Sequence, residues 1–336
     1  MGSIAGAFQP TPYGPSVKLP DPYPENTDFP LSLASSEPNA DVSELVSEAK
    51  ELSSSGKLRK LLDQHGAIYF QGLGLKNAEE FSQFAHAFGW TPHEDIGNPV
   101  RRVIHARNVA TANEGPNTQP VYPHNEFGLS PHYPAYVFFY CLSPPTTGGE
   151  TPINNSVILY RRLKDRHPEF IKEIERKGVK YQLFYENAPQ DQTSSARNSV
   201  LQAYGGKVLQ SDDSETARAK IEAEIRRLPT ATWENQSESN KLGDLRVWQH
   251  LPVESGTLDP PHINSKGAFQ PPALFGDQSL IPRKYLDTAL EIIKNTRSLV
   301  SWKQGDVLLL DNHAVQHARE PWTGNRKLLA SLWDEH

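Results

Sequence analysis

With 336 residues, 37% of them hydrophobic and including 13 Phe, 12 Tyr and 6 Trp, the chain can bury a sizeable core, which excludes global disorder. Its 34 basic and 40 acidic residues leave a formal charge of -6, so no general attraction to nucleic acid or an anionic membrane is expected, and the expected partner is a small-molecule substrate. Cys141 is the only cysteine, which excludes an intrachain disulfide, suits a reducing compartment and makes the cytoplasm the expected location, while a homo-oligomer stays open.

The start, Met1-Gly2-Ser3-Ile4, has no basic stretch leading into an apolar run, and no run approaches the roughly 18 apolar residues of a membrane helix, so neither targeting nor a membrane span is expected. Residues 1–40, rich in Pro, Ser and Asn, read as an extended N-terminal arm, and 41–336 as one domain with inserted lid segments. From Val42 to Gln64 apolar residues recur at helical spacing, and Ser53-Ser54-Ser55-Gly56 divides them into two helices. Gly66-Ala67-Ile68-Tyr69-Phe70 predicts a short buried strand, and Asn77, with Glu80 three positions on, caps a helix running to Phe88. Gly72-Leu73-Gly74 does not make a dinucleotide fingerprint, because Asn77 stands where the third glycine belongs.

Trp90 to Pro123 is polar and proline-punctuated, which predicts a long loop over a site. Tyr136 to Leu142 is the most strand-like run, Val157 to Lys177 reads as helix, Val179 to Tyr185 as strand and Ser214 to Leu228 as a charged helix. Trp248 to Val253, a helix over Tyr285 to Asn295, Leu299 to Trp302, Val307 to Leu310 and Leu328 to Trp333 complete the outline. Helices flanking strands without strict alternation give a mixed α/β (α+β) chain.

Chemistry enters at Pro123-His124-Asn125-Glu126. On extended backbone, residues i and i+2 share a face, so His124 and Glu126 can reach one ion. Alone, His-X-Glu is a common surface pair; its weight comes from a second segment, Asp311-Asn312-His313-Ala314-Val315-Gln316-His317-Ala318-Arg319, which follows an apolar strand. Two histidines and a carboxylate on one metal face leave positions open for oxygen chemistry. Arg326 then enters another apolar run, where a guanidinium is costly unless a fixed anion pairs with it.

In order and spacing these segments resemble the TauD/TfdA (taurine dioxygenase, clavaminate synthase-like) family of iron(II)- and 2-oxoglutarate-dependent dioxygenases. The resemblance runs from about Gly66 to the C-terminus and also includes Gly148-Gly149-Glu150-Thr151, Gly276 to Pro282 and Trp302 to Asp311. It implies a double-stranded β-helix (jelly-roll, cupin-like) core flanked by helices. It also implies Fe(II) held at a catalytic centre of His124, Glu126 and His317, with O2 taking an open position. The cosubstrate 2-oxoglutarate would be held through its far carboxylate by Arg326 and Thr151. The family's distal-ligand segment matches Gln316-His317-Ala318-Arg319, which favours His317 over His313, and His132 beside Pro131 reads as structural.

The implied reaction is hydroxylation, desaturation or cyclisation at an unactivated C–H bond of a small polar acid or amino-acid-like metabolite, with release of succinate and CO2. Glu126 stands where most of the family has aspartate, although the clavaminate synthase-like members resemble this chain in using glutamate. Ala330 stands where the taurine enzyme has a further arginine, which argues against taurine as substrate. Tyr122, His262 and Asn264 are expected to border the substrate pocket. The alternatives are a protein-directed oxygenase of the same chemistry and a non-catalytic jelly-roll binder. Retention of Arg326 and Thr151 speaks against the binder.

Overall fold

The apolar run at Tyr136 is central because it is buried on both faces. As strand Tyr136–Ser143 it sends Tyr136, Phe138 and Tyr140 into one hydrophobic cluster and Val137, Phe139 and Cys141 into another. Side chains alternate across a strand, so a sheet covered on both faces reads in sequence as an unbroken apolar stretch. The computed structural model describes residues 8–35, 41–97, 102–112, 115–128, 130–180, 185–186, 198–228, 232–234, 244–246, 262–263, 269–270 and 274–335.

Strand Tyr136–Ser143 lies antiparallel to both Val307–Asp311 and Lys327–Asp334. The large sheet continues through Ala67–Gln71, Leu31–Ser35 and Phe8–Pro10 on one side. On the other it continues through Val109–Thr111 and Ile104–Ala106, with Thr91–Pro92 also on Lys327–Asp334. Helices Val42–Ser54, Lys57–His65 and Ala78–His86 cover one face, burying Leu45, Leu52, Leu62, Phe81 and Phe84. The helix boundaries follow local chemistry: Asp41 and Glu44 form a capping box, and the Asn77 side chain accepts from the Glu80 amide.

The other face packs on a second antiparallel sheet, in the order Ser298–Val300, Thr151–Asn155, Val315–Arg319 and Val121–His124. Phe139, Leu308 and Leu310 meet Ile153, Val300 and Val315 between the sheets. Helices Ser156–Arg166, Pro168–Lys177 and Arg283–Thr296 pack together outside the second sheet, and the Asn154 amide donates to the Ile293 carbonyl at 2.8 Å. The result is a mixed α/β chain with a jelly-roll core flanked by helices.

Several sequence expectations change. Trp90 to Pro123 is not simply a loop: Ile104–Ala106 and Val109–Thr111 form a hairpin that pairs onto Lys327–Asp334. These strands are three residues each and half exposed, too short for a periodic pattern. The helix read from Val157 to Lys177 is two, parted at His167-Pro168, where proline removes an interior amide but fits a first turn. The extended stretch read over 1–40 is partly sewn into the large sheet, with Leu31–Ser35 parallel to Ala67–Gln71 and Phe8 and Leu33 buried. Residues 181–184 of the strand read over Val179 to Tyr185, and all of Trp248 to Val253, lie outside the described residues. Among the described residues no helix is long and apolar enough to cross a membrane.

Candidate metal centre

Val121–His124 and Val315–Arg319 are antiparallel neighbours, and their register sets His124 directly opposite His317. The two rings lie 4.3 Å apart between centroids. Glu126, two positions beyond His124, projects the same way: its Oε2 is 3.3 Å from His317 Nε2 and 3.9 Å from His124 Nε2. Bonds of about 2.1 Å from nitrogen and oxygen to one ion hold ligands roughly 3 Å apart, so these three atoms could close on an ion with small adjustments. His124 Nδ1–H donates to the Tyr122 carbonyl at 2.8 Å, which leaves the lone pair on Nε2, facing the cluster. His317 is buried against Phe139, with ring centroids 4.9 Å apart, and its Nδ1 has no hydrogen-bond partner among the described residues.

Asn125 points away from the cluster, as alternation requires, and donates to the carbonyls of Asn312 at 2.6 Å and Val315 at 3.2 Å. Asn312 completes the stitch. Its Oδ1 accepts from the Glu126 amide at 2.8 Å, and its Nδ2 donates to the carbonyls of Glu126 at 3.0 Å and Pro134 at 2.8 Å. The two segments singled out in the sequence are therefore held together by side-chain amides bonded to backbone, on the face opposite the proposed ligands.

Arg102 reaches the same carboxylate from outside both segments. It donates through Nη2 to Glu126 Oε1 in a very short contact, so the two carboxylate oxygens face different partners, one the guanidinium and one the imidazoles. Burial pushes the Glu126 carboxyl up, but the charge of Arg102 and the hydrogen bond and charge of His317 hold it well below the usual carboxylate range. Arg102 lies in the polar stretch read as a loop, where no periodicity or motif distinguishes one arginine from another.

A cationic corner starts on the neighbouring strand Thr151–Asn155, whose Ile153 pairs with His317. Gly148 and Gly149 have φ of +67° and +71°, and a Cβ on Gly148 would stand 2.3 Å from the Pro321 carbonyl oxygen, so this turn admits no side chain there. The turn sets Thr151 at the head of its strand, next to Arg326. Arg326 Nε donates to the Gly149 carbonyl at 2.9 Å and Nη2 to Thr151 Oγ1 at 3.4 Å. Trp302 Nε1 also donates to Thr151 Oγ1, at 3.0 Å. Among the described residues Arg326 bonds to no carboxylate, and burial followed by the nearby charge of Arg319 outweighs the more distant Glu150 and lowers its guanidinium to about 10. A part-buried cation bonded only to neutral oxygens suits an arriving carboxylate.

Of the other candidates, His313 is exposed and rests on Tyr133, with ring centroids 5.3 Å apart, away from the cluster. His132 stacks on His93. Tyr122 is 47% exposed on the strand that carries His124. Asn264 lies outside the described residues, and of His262 only the backbone strand His262–Ile263 is described.

The family model for the taurine catabolism dioxygenase TauD, TfdA family matches residues 27–333. A clavaminate synthase-like protein from Arabidopsis thaliana is 31% identical over 283 residues, spanning 82% of this chain and 83% of the relative. A dapdiamide synthesis protein from Enterobacter agglomerans is 26% identical over 298 residues, spanning 84% and 87%. Among solved structures, a taurine dioxygenase from Burkholderia xenovorans superposes over 98% of this chain and 90% of that one at 13% identity and a TM-score of 0.48, too loose a match to assign any residue. Matched by one family along nearly its whole length, the chain belongs to the TauD/TfdA family and is an Fe(II)- and 2-oxoglutarate-dependent dioxygenase.

Proposed function

We propose that His124, Glu126 and His317 hold the iron and that Arg326 and Thr151 hold the far carboxylate of 2-oxoglutarate. The proposed substrate is a small polar acid or amino-acid-like metabolite, oxidised at an unactivated C–H bond. The register that faces His124 with His317, with Glu126 Oε2 turned to both, carries the ligand assignment. Two imidazoles and a carboxylate are a donor set suited to ferrous iron, which when bound supplies oxygen activation coupled to conversion of 2-oxoglutarate to succinate and CO2.

The chain's own residues divide the remaining work. Arg102 occupies Glu126 Oε1, so the carboxylate offers the ion one oxygen, Oε2. Thr151 Oγ1 already accepts from Trp302 and Arg326, which leaves its hydroxyl hydrogen to donate to a carboxylate. Arg326 supplies the charge and the forked donors. Trp322, with the guanidinium carbons of Arg319 and Arg326 4.6 Å and 5.3 Å from its ring centroid, packs over the cationic corner. The substrate class is supported by the relatives, one named as clavaminate synthase-like and one for dapdiamide synthesis, and by Ala330, buried where the taurine enzyme carries a second arginine.

Anaerobic addition of Fe(II) and 2-oxoglutarate to the metal-free protein is expected to give a visible charge-transfer band. Succinate release across a panel of small acids and amino acids then identifies the substrate; absence of the band would overturn the assignment of the site. Arg102→Met is expected to weaken Fe(II) binding by about 10–100-fold, the usual effect of removing a group that orients a ligand. Half-saturation by 2-oxoglutarate should stay unchanged, and Arg102→Lys should recover part of the loss. Unaltered iron affinity in Arg102→Met would show that the guanidinium does not orient Glu126.

A further inference from the structure

Donor atoms converge a second time, apart from the proposed iron ligands. His93, just after strand Thr91–Pro92, His132, in the turn before Tyr136–Ser143, and Asp334, at the end of Lys327–Asp334, bring one ligand atom each within 4.8 Å of one another. The His93 side chain is fully buried, with Nδ1 2.6 Å from Asp334 Oδ1. Its Nε2 has no hydrogen-bond partner among the described residues, so Asp334 alone sets which nitrogen carries the hydrogen. His132 Nε2–H donates to the Glu94 carbonyl at 2.9 Å, which leaves the lone pair on Nδ1. A ring anchored through one nitrogen to a backbone carbonyl is the arrangement that metal-binding histidines adopt, because it fixes tautomer and orientation.

Charge and access point the same way. Asp334 and nearby Asp95 favour a cation, and burial pushes the His93 imidazole down, keeping it neutral and free to coordinate. His132 and Asp334 are partly exposed, which gives an ion a path in. The two rings stack with centroids 4.4 Å apart and planes 24° from parallel, so closing on an ion requires the His132 ring to tilt about its Nε2–H anchor on the Glu94 carbonyl.

We propose that His93, His132 and Asp334 bind a divalent transition-metal ion of the zinc type, with solvent completing its shell. Two nitrogens and one oxygen suit zinc rather than calcium or magnesium, which take mostly oxygen ligands. The ion takes the place of the hydrogen between His93 Nδ1 and Asp334, which moves to Nε2 so that the imidazole stays neutral, and bonds of about 2.0–2.2 Å in tetrahedral geometry spread that 2.6 Å contact to roughly 3.3 Å. The ring of Phe127, the residue after Glu126, lies 5.4 Å from that of His93 between centroids. A bound ion therefore braces the backbone behind Glu126 against the C-terminal strand.

Zinc titration of the metal-free, full-length His317→Ala protein against a fluorescent chelator tests this with the proposed iron site disabled. One zinc equivalent is expected to remain, and its binding is expected to raise the thermal unfolding midpoint. Adding His132→Ala or Asp334→Asn, both at partly exposed positions, is expected to weaken that equivalent at least about 10–100-fold and to abolish the thermal shift. No zinc bound below millimolar concentration in His317→Ala, or an equivalent indifferent to both further substitutions, would overturn the proposal and leave a hydrogen-bonded histidine stack.

Discussion

His317→Ala is expected to abolish both the charge-transfer band and succinate release, whereas His313→Ala leaves both intact. The two histidines are four positions apart in one short segment, yet their surroundings differ. His317 is buried with Nε2 3.3 Å from Glu126 Oε2, while His313 is exposed and stacks edge-on against Tyr133. Removing one of the three proposed ligands weakens the protein's hold on the ion and opens its face to water. Loss of an exposed ring costs within about 0.5 kcal/mol of stability. Absorbance and coupled succinate assays on both variants decide the matter, and a band that survives His317→Ala but not His313→Ala would reverse the ligand assignment.

Arg326→Leu is expected to raise the 2-oxoglutarate concentration for half-maximal turnover by about 100-fold, with iron binding retained. Truncating one partner of a buried charged hydrogen-bonded pair costs about 2–5 kcal/mol, and each 1.4 kcal/mol is a factor of ten in affinity. Arg326 bonds to the Gly149 carbonyl and the Thr151 hydroxyl, both uncharged, so the cost of the proposed contact would fall on the cosubstrate and not on an internal ion pair. Thr151→Val removes a single hydroxyl and should have a smaller effect in the same direction, since one such hydrogen bond to a charged group contributes about 1.5–3 kcal/mol. Titration of 2-oxoglutarate into the Fe(II)-loaded variants measures both, and an unchanged midpoint in Arg326→Leu would place the cosubstrate elsewhere.

The legible parts of the sequence were those in which a single physical cause sets the pattern. Tyr136–Ser143 read as a strand because burial on both faces leaves no polar position in its middle, and the helix starting at Ala78 read correctly because Asn77 and Glu80 carry the cap. His124 and Glu126 read as a pair because extended backbone brings i and i+2 to one side. Val315–Arg319 did not read as a strand: all five residues are buried, yet Gln316, His317 and Arg319 are polar, so the composition conceals the burial. Thr151–Asn155 was hidden in the same way, by the buried Asn154 and Asn155, the latter capping the following helix. Arg102 could not have been found at all. Its importance lies in where the chain returns in space, and no spacing along the chain records that.

Because the two proposed histidine ligands sit opposite each other on paired strands, the coordination face depends on strand alignment. Shifting Val315–Arg319 by one residue against Val121–His124 would turn the imidazole of position 317 to the far side and bring forward Gln316 or Ala318, neither of which supplies an imidazole. An inserted or deleted residue between Asn312 and Gln316 would therefore silence the centre even if the sheet re-formed with all its backbone bonds. Length variation of this kind is tolerable only in segments outside that ladder.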